Sequence, residues 1–123
     1  MVNLGRKKSG GKYKSPRKKK SYEIKGQNRV IHIGNDKRKS LRVKGGNKKI
    51  VMLSSKTVNI LDPNTKKTQI AEIKNVLETP ANRFFARQQI INKSAIIETT
   101  LGKAKVTNRP SQEGMINAIL IKE

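Results

Sequence analysis

Residues 57–78 read TVNILDPNTKKTQIAEIKNVLE, and this stretch decides the fold class. Four of its first five residues are apolar or β-branched, as in a strand. The run DPNT at 62–65 has the chemistry of a type I turn, with proline at the second position. The following residues alternate in polarity, and we expect Ala71, Ile73 and Leu77 to share one face. The stretch therefore predicts two strands joined by a turn.

Similar strand-like runs lie on both sides of this stretch. Each is rich in β-branched residues or alternates in polarity, and Gly, Asn, Asp, Pro or Ser clusters separate them. Seven or so short strands with turns between them indicate an antiparallel barrel or a closed sandwich. We predict an all-β fold, a small antiparallel β-barrel, because closing a sheet removes its exposed edges. The runs cover residues 29–33, 40–44, 49–53, 57–61, 68–78, 95–100, 103–107 and 115–121, and a loop is predicted at 108–114.

One segment departs from the strand pattern. Residues 83–89 favour a short turn of helix. We expect the large apolar side chains in and just after it, those of Phe84, Phe85, Ile90 and Ile91, to plug one end of the barrel.

Charge and hydrophobicity are distributed differently along the chain. Its 123 residues include 29 Lys and Arg against 8 acids, a formal net charge of +21. Residues 1–27 hold 10 of the basic residues, one acid and only 3 Leu, Ile, Val or Phe, too few to form a core. Residues 28–123 hold 27 of these apolar residues, enough for a domain that folds alone. We therefore predict a basic, extended N-terminal arm at 1–27 and a β-barrel domain at 28–123.

The composition argues against several classes of protein. Without Cys, the chain has no disulfide, catalytic thiol or thiolate zinc site. His32 is the only histidine, the acids form no short-spaced pair, and the glycine runs lack the spacing of a P-loop. No stretch approaches the roughly 20 apolar residues of a membrane span. We therefore expect no enzyme activity, cofactor, metal, small-molecule substrate or membrane partner.

A charge of this size indicates a polyanionic partner, and nucleic acid is the leading candidate. The arm has the residue types that bind RNA. Its cations neutralise phosphates and release counterions. Gly10 and Gly11 allow the backbone to approach a groove, and the rings of Tyr13 and Tyr22 can stack on unpaired bases. A solubilising tail or a localisation signal is the alternative for the arm. The arm's candidate phosphate contacts are Arg6, Lys7, Lys8, Lys12, Lys14, Arg17, Lys18, Lys19 and Lys20.

A second basic cluster surrounds a predicted strand and its turn. Residues two apart on a strand share a face, so we expect Arg42 and Lys44 to project together, opposite Leu41 and Val43. Such a rigid patch suits recognition of a phosphate backbone, and the alternative is a merely solvated strand face. The cluster consists of Lys37, Arg38, Lys39, Arg42, Lys44, Lys48 and Lys49.

Several segments together resemble one ribosomal protein family. The N-terminal ones are Gly5-Arg6, Ser9-Gly10-Gly11, Arg17-Lys18-Lys19-Lys20, Tyr22-Glu23, Ile33-Gly34, Lys37-Arg38-Lys39 and Arg42-Val43-Lys44-Gly45-Gly46-Asn47. The later ones cover residues 82–83, 93–99, 101–107 and 109–110. Over nearly its whole length the chain resembles the "eight-e" proteins of the archaeal and eukaryotic small ribosomal subunit. It looks like the archaeal branch, because it is too short for the large eukaryotic insertion.

The resemblance implies a β-barrel whose basic N-terminal extension binds small-subunit ribosomal RNA. It implies a structural constituent of cytoplasmic ribosomes that supports subunit assembly and translation beside other small-subunit proteins. The contacts are expected to be mainly to phosphates and shape, and Asn47 of the Gly-Gly-Asn turn joins them. One rival is a general nucleic-acid-binding or compacting basic protein. The other is a cationic protein on membrane surfaces, which needs an amphipathic helix that the sequence does not show.

Overall fold

The structure, a computed structural model, describes residues 5–14, 17–23 and 29–121. A closed five-stranded barrel is accompanied by a three-stranded sheet, so the predicted all-β barrel is confirmed. The strands are β1 (His32–Ile33), β2 (Lys37–Arg42), β3 (Lys48–Ser55), β4 (Thr57–Leu61), β5 (Thr68–Glu78), β6 (Ile96–Thr99), β7 (Gly102–Val106) and β8 (Asn117–Leu120). Two short helices, α1 (Arg83–Arg87) and α2 (Pro110–Glu113), follow β5 and β7.

The barrel contains β4 to β8 in chain order and closes where β8 pairs with β4. Successive strands are antiparallel, but the closing pair is parallel, with Ile60 opposite Ala118. This parallel closure is the one exception to the predicted antiparallel pairing of the barrel. The physical reason is the odd strand number, since five strands that alternate in direction begin and end with the same direction.

The first three strands form a separate sheet in the order β1, β3, β2. The β2–β3 pair is an antiparallel hairpin, and β1 lies parallel to β3 on its other side. The carbonyl of Lys56, between β3 and β4, accepts a hydrogen bond from the backbone N–H of Ile73 at 2.8 Å. This contact joins the small sheet to the barrel wall.

The core fills the barrel and continues under the small sheet. Ala104 and Val106 point inward, as the alternation of β7 predicts. On β5, however, Leu77 is 41% exposed and Val76 is buried, so the predicted face is wrong at its end. The pairing of β5 with β6 shifts register between Ile73 and Asn75, and such a bulge moves the later side chains to the opposite face. The core residues are Ile31, Met52, Val58, Ile60, Ala71, Ile73, Val76, Ile91, Ala95, Ile97, Ala104, Val106, Ile116 and Ala118.

The predicted helical turn is present as α1. The side chain of Asn82 caps it, with Oδ1 accepting from the backbone N–H of Phe84 at 3.0 Å. Ile90 and Ile91 are buried beyond the helix and Phe85 is half-buried, but Phe84 is 62% exposed. Phe84 therefore does not plug the barrel, because adjacent helical residues point about 100° apart and only one of them faces inward.

A second helix, α2, replaces the loop predicted at 108–114. Pro110 occupies its first turn, and Gly114 ends it with a left-handed φ of 67°. Both residues follow the usual preferences of helix ends, but four residues are too few to show helical periodicity. Neither helix in the described part of the chain is long and apolar enough to cross a bilayer.

The predicted boundary between arm and domain, at residues 27 and 28, lies outside the described residues. In the described parts of the arm, residues 5–14 and 17–23, every residue is exposed. The extended course of the arm therefore stays a prediction.

Candidate nucleic-acid interface

The β2–β3 hairpin brings together the second predicted basic cluster. Six of its seven cations lie on the two strands, and Lys44 lies in the turn between them. Lys49 is half-buried and the other six are exposed, as is Asn47 at the end of the turn. The cluster is therefore a surface on a hydrogen-bonded element.

The hairpin turn is built on two glycines. Gly45 and Gly46 have φ values of 72° and 75°, in the left-handed region that favours glycine. The backbone N–H of Val43 donates to the carbonyl of Asn47 at 2.8 Å and closes the turn. Because β2 ends at Arg42, the predicted alternation does not reach Lys44, and Val43 is 41% exposed instead of facing the core.

Like charges oppose each other at the tip of the hairpin. Arg42 is paired directly with Lys48 across β2 and β3, and Lys44 lies in the turn that joins them. Like charges at directly opposite positions of a sheet destabilise it. Among the described residues, no salt bridge involves any of these three cations. A bound anion would remove this repulsion.

The acid closest in sequence to the hairpin, Asp36, lies at its base. Its Oδ1 accepts from the hydroxyl of the buried Ser55 at 2.7 Å and from the backbone N–H of Lys56 at 3.3 Å. The Ser55 hydrogen bond is the main cause that lowers the pKa of Asp36; Lys56 and the charge of Arg38 also lower it, against a smaller opposing effect of burial. Asp36 therefore fastens the start of β2 to the β3–β4 junction and leaves the tip uncompensated.

The first described part of the arm is a tight cationic turn. Arg6 and Lys12 form an isolated antiparallel bridge, and the backbone N–H of Lys7 donates to Gly11 at 2.9 Å. Gly10 has a φ of 78°, so it uses the conformational freedom of glycine, whereas Gly11 does not have a positive φ. The turn holds the side chains of Arg6, Lys7, Lys8 and Lys12 on one compact loop.

Both tyrosines of the arm lie on its surface. Tyr13 is 52% exposed and Tyr22 is 81% exposed. The Nζ of Lys7 lies 5.7 Å from the ring centroid of Tyr13, within range of a cation–π interaction. Tyr22 lies in a 3-10 turn, Ser21–Glu23. The exposed rings leave room for the predicted stacking on bases.

An ion pair organises the second described part of the arm. The guanidinium of Arg17 donates to both carboxylate oxygens of Glu23, at 2.7 and 2.8 Å. The backbone N–H of Lys20 also donates to Glu23, at 3.1 Å, and these two contacts, Arg17 first, lower the pKa of Glu23. The resulting loop exposes Lys18, Lys19 and Lys20. Arg17, predicted as a phosphate contact, is here engaged with a carboxylate.

His32 lies on β1 and is exposed, with Nδ1 3.3 Å from the carbonyl oxygen of Gln88. In the three described ranges, no group of three His, Asp or Glu side chains is placed to hold a metal ion.

Sequence reasoning missed a groove beside α2. Its volume is about 430 Å³, and three cations line it, Arg29, Lys93 and Arg109. These residues are far apart in the sequence, so no local cluster marks them. The Nζ of Lys49 lies 3.4 Å from Oε1 of Gln112, which also lines the groove, so the groove adjoins the basic hairpin.

The barrel, the glycine turn and the opposed cations define a class: a small basic β-barrel protein with a surface suited to a polyanion. The sequence matches the family model described as Ribosomal protein S8e over residues 3–121. It is 47% identical over 119 residues to small ribosomal subunit protein eS8 of Methanococcus aeolicus, which covers 96% of this chain and 93% of that protein.

Two further relatives carry the same name. The protein of Nanoarchaeum equitans is 45% identical over 106 residues, 86% of this chain and 84% of the relative. That of Methanocella arvoryzae is 40% identical over 116 residues, 94% of this chain and 93% of the relative. The chain belongs to the ribosomal protein S8e family, whose members are structural proteins and not enzymes. The resemblance noted from the sequence is thereby confirmed.

Proposed function

We propose that this protein is a structural constituent of the small subunit of cytoplasmic ribosomes, where it binds small-subunit ribosomal RNA beside other ribosomal proteins. Family membership supports the ribosomal role, since the relatives are named small ribosomal subunit proteins. The net charge of +21 supports an RNA partner, because each cation that meets a phosphate releases counterions.

The opposed cations at the tip of β2 and β3 carry the RNA-binding part of the proposal. A hairpin selected only for stability would place an acid opposite Arg42, yet Lys48 stands there. The phosphates of an RNA backbone supply the missing negative charge. Strand β2 is an edge of the small sheet, so its cations also discourage pairing with another strand. Lys44 in the turn and Lys48 on the central strand β3 are not needed for that purpose.

The arm supplies the second half of the surface. The arm runs between RNA helices and becomes ordered on binding, while the barrel anchors it. Its exposed cations and tyrosines make the contacts. The contacts are mainly to phosphates and shape, with little reading of base edges.

A salt titration on a transcript of small-subunit RNA tests this function. The wild-type affinity is expected to fall steeply with salt, and the triple variant Arg42→Gln, Lys44→Gln, Lys48→Gln should lower the slope of log K against log salt by about 2 to 3. Since the three cations repel one another, the variant should unfold in urea at the same concentration as the wild type or a higher one. A variant with Lys67, Lys74 and Lys105 replaced by Gln removes the same charge elsewhere and is the matched control.

Two results would count against the proposal. A flat titration of the wild-type chain would show that phosphate contacts do not drive binding. Equal affinity for duplex DNA at physiological salt would favour the general nucleic-acid-binding alternative.

A further inference from the structure

The groove beside α2 is built from three separate parts of the chain. Its walls are residues 29–30 before β1, the region around α1 with Ala81, Phe85 and residues 90–93, and residues 109–112 at α2. Ile90 and Ile91 are buried beneath it, and the backbone N–H of Ile91 donates to Ile31 at 2.8 Å. Its volume of about 430 Å³ lies within the range of small-ligand sites, roughly 300–1,000 Å³.

The charge of the groove is positive only. Arg29, Lys93 and Arg109 are exposed along it, and among the described residues no acid lines it. In the described part of the chain, none of the three takes part in a salt bridge. Three uncompensated cations around one concave surface suit a phosphate group.

Asn92, which lines the groove, has a buried acceptor without a donor. Its Oδ1 is shielded from solvent and has no hydrogen-bond partner among the residues that the structure describes. Two hydrogen bonds fix the backbone around Asn92. The carbonyl of Asn92 accepts from the backbone N–H of Ala95 at 3.3 Å, and the backbone N–H of Ser94 donates to the carbonyl of Val106. A buried polar atom left unpaired costs stability, and in a native protein it points to a missing partner. That partner must donate an O–H or N–H.

The groove also has an apolar side. Phe85 is half-buried there, and Pro110 is buried at the start of α2. An aromatic ring beside cations is the arrangement on which unpaired bases stack. The neighbouring contact of Lys49 with Gln112 makes the groove continuous with the basic hairpin.

We infer that this groove binds one unpaired nucleotide of the RNA. The phosphate lies against Arg29, Lys93 and Arg109, and the base packs on Phe85. The side chain of Asn92 turns towards the bound nucleotide, so that its Oδ1 accepts from a ribose hydroxyl or a base N–H. The inference rests on the proposed RNA-binding function and adds to it a place where the barrel itself recognises single-stranded RNA.

Titration of the ¹⁵N-labelled full chain with pentauridylate tests the site. The backbone amides of residues 91–93 and of residues 109–112, apart from Pro110, are expected to shift. The triple variant Arg29→Gln, Lys93→Gln, Arg109→Gln should bind at least tenfold more weakly. The Lys67, Lys74 and Lys105 variant, which loses the same charge, is expected to retain most of the affinity. Equal losses in the two variants would overturn the site, since they would show a general charge effect.

Asn92→Leu tests the unpaired acceptor, because leucine has the same branched arrangement of side-chain heavy atoms and no polar atom. We expect an unchanged or higher Tm, together with a severalfold loss of affinity for pentauridylate. An unchanged affinity would overturn the role of Asn92. The deoxyuridine pentamer distinguishes the two sources of the donor: weaker binding assigns it to the ribose hydroxyl, and equal binding assigns it to the base, and both support the site.

Two further measurements separate this inference from the function on which it rests. If the wild type binds the small-subunit transcript but pentauridylate shifts no amide in the groove, only the inference about the groove is wrong. If the wild type does not bind the transcript, the proposed function is wrong. If a polyglutamate peptide shifts the groove amides and pentauridylate does not, the groove belongs to an acidic protein segment and the inference is wrong.

Discussion

Glu23 is the only acid among the first 27 residues, and it pairs with Arg17. In a segment that otherwise only repels itself, one carboxylate is enough to fold residues 17–23 into a loop. This Arg17–Glu23 clamp uses one cation and leaves Lys18, Lys19 and Lys20 exposed. A single acid in a basic arm is therefore a structural residue.

The pH dependence of the Glu23 carboxyl tests this clamp. Its pKa lies below the ordinary 4.5 because the charged form is stabilised by Arg17, so the ion pair persists above 4.5 and breaks only as the pH falls through the lowered value. In Arg17→Gln the midpoint measured by NMR should rise towards 4.5, and Arg6→Gln, the control, should leave it unchanged. An unchanged midpoint in Arg17→Gln would show that the pair does not form in solution.

Asp36, at the base of the hairpin, is a second acid with a structural role. Asp36→Asn should lower the free energy of unfolding by about 1 kcal/mol at neutral pH. This is less than the full contribution of a hydrogen bond to a charged group, because the Asp36 side chain is 40% exposed. The pKa of Asp36 lies below 3.8, so the stabilisation is present above that value and is lost as the pH falls through the lowered one. Urea denaturation from pH 7 to pH 2 should show the difference between wild type and variant shrinking.

The control for Asp36 is Glu72→Gln, which breaks a surface pair with Lys56 at 3.4 Å. Such exposed pairs contribute little, so its effect should stay within about 0.5 kcal/mol. Equal effects of the two substitutions would mean that the Ser55 contact does not stabilise the fold.

At the scale of elements, α2 is held in place by its ends. Gly114 has a φ of 67°, and a Cβ there would lie 2.8 Å from Cγ2 of Ile50 and 3.2 Å from its carbonyl oxygen. The helix therefore packs on β3 only because this residue has no side chain. The same contact positions Arg109 and Gln112 at the groove.

Gly114→Ala is expected to lower the free energy of unfolding by about 1–3 kcal/mol, because both the left-handed φ and the contact with Ile50 oppose a Cβ. Gly34→Ala is the matched control, since a Cβ at Gly34 meets nothing within 4 Å and its φ is not positive. Urea denaturation of the two variants measures the difference. Equal stability of the two would place α2 away from β3.

At the scale of the whole molecule, we propose that the barrel is a folded anchor and that residues 1–27 are a cationic extension. Deletion of residues 1–20 should leave the barrel folded, because the described residues of that segment are exposed and none belongs to the core. The loss of nine arm cations should weaken binding to the small-subunit transcript by several orders of magnitude at physiological salt. Circular dichroism and filter binding measure the two effects, and an unfolded truncation would show that the arm is part of the domain.

The sequence by itself determined what depends on neighbours along the chain. The strands predicted at 57–61 and 68–78 match β4 and β5, because alternation and a proline turn act within a few residues. The basic character of the hairpin and the family also follow from local residue types and order.

Only the tertiary structure decided the features that depend on pairing between distant segments. The bulge on β5 moves Leu77 outward, the odd strand count makes the closing pair parallel, and β1 to β3 leave the barrel for their own sheet. Arg29, Lys93 and Arg109 meet in one groove for the same reason. Strand register and packing bring together residues that sequence position keeps apart, so no local pattern contains that information.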